Sequence, residues 1–393
     1  MDSERADFAT ELATRRANGG LSLADLAART HTHRGYLSNI EHGHRWPTET
    51  VVRALDVALA ADGALVAAWE SANQVLQTRT TNRQSTELLE LAARAQASDI
   101  SLTTLELLDT SMDTMARSYT RTPPVELLHS VRAMARQISS LLDGRSTLVQ
   151  RRRLLSTAGW LAVFAATLHV DLGQRRAAST ARDAAQSLGG ETGADEIAAW
   201  AVEIDAWTAL VDQDWPRAAT LAAAGEGIAP LGSPAAAQLA MQSARAAARL
   251  GDGPQMRAAL RRCSAAADRQ SPGRPPDHHY QFDGDKLELY TGTALAWLGD
   301  PAAEDFARRA AARSAASNQR RRVATAHLDL GLVLARLGRP DEAAHYGVLV
   351  LESNEIVPSN AWRVDELVAT VSGYRGVPEV DELRELAAQR ASR

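Results

Sequence analysis

Between Arg29 and Arg45 the chain places three arginines, one acid (Glu41) and four histidines, His31, His33, His42 and His44. Two chemistries use such a set. Imidazoles at H-x-H spacing chelate metals, but no cysteine or carboxylate set stands at the usual spacing, so no metal site is expected. Guanidinium and protonated imidazole groups also bind phosphates. Protonating all four histidines would raise the local charge from +2 towards +6. Unperturbed histidine titrates near ~6.5, so affinity for a polyanion is expected to rise as pH falls from about 8 to about 6.

Elsewhere, no Walker loop, G-x-S-x-G elbow, H-E-x-x-H or dinucleotide fingerprint occurs, and no catalytic site or cofactor is expected. Gly251-Asp252-Gly253 suits a helix turn better than a phosphate cradle. His278-His279 reads as part of a polar loop, and Cys263 as a small buried side chain. Trp200, Glu203 and Trp207 recur at near-helical spacing. A carboxylate among aromatics can receive a cation or a peptide N-terminus; the plainer alternative makes the tryptophans core and leaves Glu203 and Asp205 solvated. Gln242, Arg245, Asn318, Arg322 and His327 are further polar positions inside helical segments and weaker candidates to line a ligand site.

Such residues need a scaffold. The 393 residues allow two or three domains. Alanine, leucine and arginine dominate while aromatics total 5%, which favours an all-α chain. Lys286 is the only lysine. The net charge of −5 removes whole-chain basicity as a hint of nucleic-acid binding. One cysteine fits a reducing compartment. No basic-then-apolar N-terminal run reads as a signal peptide. The longest apolar run, Trp160–Val170, is too short to span a bilayer and reads as a buried helix. A cytoplasmic chain without membrane attachment is the expectation.

Three regions emerge: 1–73, with short helical periods and tight turns; 74–86, a polar linker; and 87–393, helical periods broken at Gly173, Asp214, Gly251, Gly299 and Gly338, between 37 and 48 residues apart. A small or acidic residue lets one helix stop and a nearby proline starts the next. Alanines follow at Ala177, Ala218, Ala302 and Ala343, where paired helices would cross closely. Ala326–Asn354, with Leu330-Gly331, a turn at 338–341 and Ala343, resembles a tetratricopeptide repeat, which implies an α-solenoid for the second region. Ser271–Asp285 is rich in Pro, Gly and Asp and is expected to be an inserted loop.

In the first region, Ser22 is a good N-cap for a helix over 22–29. Thr30–Thr32 turn the chain, a second helix runs about His33–His42 with Leu37 and Ile40 inward, and Gly43 ends it. Pro47 and Thr48 open a further helix. Leu21-Ser22, Leu26-Ala27, Tyr36-Leu37-Ser38, Ile40-Glu41, Gly43, Arg45 and Pro47 together resemble the Cro/repressor-type (Xre) helix-turn-helix family, over about the first 70 residues. The resemblance implies a five-helix domain whose helix 33–42 enters the major groove of double-stranded DNA. Arg34, Gly35 and Asn39 would face base edges, where Arg bonds guanine and Asn bonds adenine bidentately. His33, Ser38, His42, His44 and Arg45 would lie near phosphates. The family often has Gln early in the first motif helix; Leu23 stands there, so Ser22 is the substitute contact. The resemblance also implies a structural pair between Arg16 and Glu41.

The two-part layout resembles Xre-type regulators with tetratricopeptide-like C-terminal domains of actinobacterial type. It implies a sequence-specific transcription regulator, a homodimer on paired half-sites, whose array senses a peptide or small molecule. The alternative is a DNA-tethered adaptor whose array recruits a protein.

Overall fold

The computed structural model describes residues 3–270, 275, 277–316 and 319–391, and no strand occurs among them. Two compact units divide the chain, Met1–Ala97 and Ser98–Arg393.

The first unit has five helices: α1 (Ser3–Asn18), α2 (Leu23–Arg29), α3 (Arg34–Glu41), α4 (Glu49–Ala58) and α5 (Ala64–Gln96). Phe8, Leu12, Leu26, Leu37, Ile40, Val52, Leu55 and Leu65 form its core, each at most 3% exposed. Full burial of a side chain of this size is worth roughly 1.5–3 kcal/mol. Buried Asp56 is the polar exception. Its two oxygens accept from the amides of Gly63 (2.8 Å) and Leu65 (2.9 Å), satisfying free N–H groups where α5 begins. Residues 74–86, expected as a linker, run within α5, and the boundary between the units falls after Ala97. A polar stretch without Gly or Pro has nothing to stop a helix already begun.

The second unit opens with α6 (Leu102–Ser118) and α7 (Pro124–Asp143), which pack on α8 (Leu148–Asp171). Antiparallel pairs follow: α8 with α9 (Arg175–Thr192), α10 (Asp195–Val211) with α11 (Trp215–Ile228), and α12 (Pro234–Arg249) with α13 (Gly253–Asp268). Then come α14 (Gly284–Leu298) with α15 (Ala303–Ala316), α16 (Arg320–Arg336) with α17 (Pro340–Glu352), and α18 (Ala361–Val371) with α19 (Pro378–Ala391). A 3₁₀ turn at Pro358–Asn360 precedes α18. Within each pair the first helix also packs on the first helix of the next, so α8, α10, α12, α14, α16 and α18 form one continuous inner layer. Helix α8 is long and apolar enough to cross a membrane, yet 61% of its most apolar window is buried in the unit, as suits a core helix.

The turns within five of these pairs share one geometry. Gly173, Gln213, Gly251, Gly299 and Gly338 all have φ between 61° and 85°. The next residue donates its amide to the carbonyl five positions back, as Gln174 to His169 and Asp214 to Ala209. This is a Schellman-type stop. Of the alanines expected at close crossings, Ala218 and Ala343 are fully buried; at the other two turns the buried alanine is one position later, Ala178 and Ala303. Where α16 meets α17, a Cβ on Gly331 would lie 3.1 Å from the Ala343 carbonyl and 3.0 Å from Leu367.

Candidate DNA-reading surface and a buried polar cavity

Helix α2 starts at a complete capping box. Asp25 N donates to Ser22 Oγ, and Ser22 N donates to Asp25 Oδ2. The Ser22 hydroxyl also donates to Asp25 Oδ2 at 2.6 Å, so its first role is to cap. The turn to α3 places His31 at φ 50°, and Thr32 N closes back on Ala27 O. His33 then caps α3, its Nδ1 accepting from Gly35 N at 3.1 Å.

Leu37 and Ile40 fix the inner face of α3. Arg34, Gly35 and Asn39 are exposed, and the side chains of Arg34 and Asn39 bond to no other described residue. His42 Nδ1 meets Ser38 O at 2.7 Å, and the His42 and His44 rings stack at 6.1 Å. The Arg45 guanidinium lies over the Tyr36 ring at 5.3 Å. Beneath α3, Arg16 Nε donates to Glu41 Oε1 (2.7 Å), Nη2 to Oε2 (3.0 Å), and Nη1 to Leu21 O (2.9 Å). The Glu41 side chain is 5% exposed, so its carboxylate braces the helix from inside and points away from solvent.

The second unit holds a cavity of about 120 Å³ on its inner layer, partly open to solvent. Helix α10 contributes Trp200, Glu203 and Trp207; α12 contributes Gln238, Gln242 and Arg245; α14 contributes Lys286 and Tyr290; α16 contributes Arg321 and Arg322. Six of the eight ligand-site candidates thus line one space. Asn318 lies outside the described residues. His327 is not part of the lining; it packs against Tyr346 at 5.1 Å. A pattern of polar residues on α16 cannot say which of them turns inward.

Glu203 is buried, not solvated, contrary to the plainer expectation. Its Oε1 accepts from Gln238 Nε2 (3.0 Å) and Gln242 Nε2 (2.5 Å), and burial raises its pKa against those bonds. Trp200 is core, at 2% exposure, and Asp205 pairs with Arg182 at 3.2 Å. Burial lowers the Arg245 pKa to about 10. Its guanidinium sits over Trp297 (4.9 Å) and Tyr290 (5.3 Å) and donates to Gln242 Oε1 (2.9 Å).

Four elements of the cavity were missed in the sequence. Part of the segment expected as an inserted loop enters the interior: His278, Tyr280 and Phe282 are buried, and His279 N donates to Ala116 O. Tyr280 stands among Trp160 (5.2 Å) and Trp200 (5.0 Å). Residues 271–274 and 276 lie outside the described residues. The lone lysine, Lys286, anchors this segment by donating to His279 O and to Gln281 O (2.7 Å). Tyr119 and Asp171 arrive from α6 and α8, and Asn360 and Arg363 from the C-terminal stretch. The Tyr119 hydroxyl donates to Asp171 Oδ2 (2.7 Å), and Ser359 Oγ to Asp171 Oδ1 (3.1 Å). Arg363 bonds Asp329, both nearly inaccessible. Residues 357–360 therefore close the inner layer back onto α8.

Among the described residues no group of three or more His, Cys, Asp or Glu is placed to hold a metal. A family model described as a helix-turn-helix domain matches residues 7–69. No curated protein shows significant similarity to the chain. The first unit is a helix-turn-helix domain, and that match supports DNA binding.

Proposed function

We propose that the chain is a sequence-specific, DNA-binding transcription regulator of the Xre type, cytoplasmic and homodimeric, whose tetratricopeptide-like array senses a small effector. The observation that carries the reading is the two-sidedness of α3. Leu37 and Ile40 hold it to the core while Arg34 and Asn39 stand free on an exposed face. Such a helix offers both bidentate base contacts of the major groove. One head reads only a few base pairs, so the reading requires two copies. The exposed Leu102, Leu107, Val125, Leu148 and Val149 at the start of the array suit a second copy. The cavity of about 120 Å³, lined in part by Val357 and Asn360, fits a small effector better than the folded partner of the adaptor reading.

Genomic footprinting with wild type beside Arg34→Ala tests this. The substitution is expected to weaken the specific site by about 1–3 kcal/mol and to leave random-sequence binding nearly unchanged. Equal loss on random DNA would demote Arg34 to a phosphate contact. Asn39→Ala should relax preference at a different base position. Absence of any preferred site for the wild type would overturn the regulator reading.

A further inference from the structure

We propose that the cavity of the array takes a small organic anion, a carboxylate or phosphate head on a planar apolar group; this rests on the array being the sensing half of the chain. The first argument is the charge balance. Five cationic side chains line the cavity, Arg245, Lys286, Arg321, Arg322 and Arg363, against two carboxylates, Asp171 and Glu203. Asp329 answers Arg363 from behind, and Asp171 lies 3.6 Å from Arg321. Lys286 is held by the His279 and Gln281 carbonyls, which leaves Arg245 and Arg322 to Glu203, whose Oε1 is already held by two glutamine amides.

The second argument is unmet donors. Among the described residues Arg322 makes no ion pair or hydrogen bond, and its Nη1 is buried without an acceptor there. Arg245 donates to the neutral Gln242, and among the described residues its Nε is likewise buried without an acceptor. Leaving a charged donor unsatisfied in a buried place is costly, and such positions are where a ligand atom or ordered water belongs. An anion satisfies both guanidinium groups with charge-assisted bonds. A cation at Glu203 would instead face the whole cationic set. The direction of the His279 pKa agrees: burial first, then Lys286, His278, Arg322 and Arg321, hold it well below the usual imidazole range.

The third argument is shape. Trp207, Leu289 and Tyr290 supply apolar faces beside these donors. A dry cavity of roughly 150 Å³ holds benzene; this space of about 120 Å³ is partly open, so it takes the head group while part of the ring extends into the opening.

The test uses the full chain, with inorganic phosphate, benzoate, benzyl alcohol and benzylamine as probes, in chloride matched for ionic strength. Thermal unfolding is read with each. Benzoate or phosphate should raise the melting temperature saturably while the alcohol and the amine do not. The better of the two anions distinguishes a carboxylate from a phosphate ligand. Arg322→Gln, with its unliganded melting temperature as the check on folding, should weaken anion binding at least tenfold, and Arg322→Lys should recover part of it. Stabilisation by benzylamine equal to that by benzoate, no saturable effect of either anion, or unchanged affinity in Arg322→Gln would each overturn the inference. Footprinting of the wild type stands apart: intact site preference without an anion effect sinks this inference alone, whereas lost preference sinks the regulator reading alone.

Discussion

Arg16 and Glu41, 25 residues apart, meet through two parallel hydrogen bonds beneath the exposed helix α3. Removing one partner strands the other. Arg16→Ala is expected to cost the first unit about 2–4 kcal/mol, since Glu41 would be left buried and unpaired. Replacing both together with Met and Leu should cost less than the single change. Chemical denaturation of residues 1–97 as they stand in the full chain, followed by Trp46 and Trp69 fluorescence, measures this. A single change as mild as the double would show that the pair does not brace the helix.

The five matching turns of the array include one anomaly. Gln213 occupies the left-handed position that glycine fills at the other four. A residue with a Cβ is disfavoured there by roughly 1–2 kcal/mol, partly offset by the greater entropy glycine loses on folding. Gln213→Gly should therefore raise the stability of the array by up to about 1 kcal/mol, visible as a higher melting temperature. A lower one would mean that the Gln213 side chain contributes more than the backbone costs.

Arg249 is held by Glu366 through two bonds of 2.6 Å and lies over Trp215, Trp297 and Trp362 at 4.2–5.2 Å. It joins α11, α12, α14 and α18 at one point. Arg249→Ala is expected to destabilise the array by about 2–4 kcal/mol, through the stranded carboxylate and the lost cation–π contacts. Arg249→Lys should recover only part, because an ammonium cannot make the paired bonds. Urea titration of the three proteins separates these outcomes; equality of Lys with Arg would remove the fork geometry from the explanation.

Asp171 provides a pH dependence. Burial raises its pKa from 3.8 to about 6, against the bonds from Tyr119 and Ser359 and the charge of Arg321. The folded chain thus holds this proton more tightly than the unfolded one. Its contribution to stability is complete below pH ~4 and is lost as pH rises through about 6. Asp171→Asn cannot titrate, so the stability difference between variant and wild type should shift towards the variant by about 1.4 kcal/mol from pH 5 to pH 7.5. Parallel curves over that range would show that Asp171 does not ionise there.

The helix-turn-helix was legible because its signals are local. Ser22, His33 and Gly43 each mark a helix end within a few residues of the groups they satisfy. The turns of the array were legible for the same reason. The cavity was legible only in part. Trp200, Glu203, Gln242 and Arg245 lie on neighbouring helices, and polar residues in apolar segments point inward often enough to be noticed. Ser359 meets Asp171 and Arg321 meets Thr122 through contacts spanning 188 and 199 residues, which no periodicity reports. The 277–282 segment read as part of an inserted loop because proline and glycine crowd residues 271–276 just before it. Two features argued otherwise: Tyr280 and Phe282 alternate with polar neighbours, and Lys286 is a lysine in a chain that otherwise uses arginine.

The seam between residues 357–360 and α8 also bears on the order of assembly. The paired helices can form one after another as the chain leaves the ribosome, each leaning on the last. The cavity they line is not complete until residues 357–363 have been made, because Ser359 meets Asp171, a partner 188 positions behind it. A chain that stops before residue 357 would therefore carry its helix-turn-helix domain and an array whose cavity lacks Val357, Asn360 and Arg363. A molecule that needs those side chains would bind only chains that extend past Arg363.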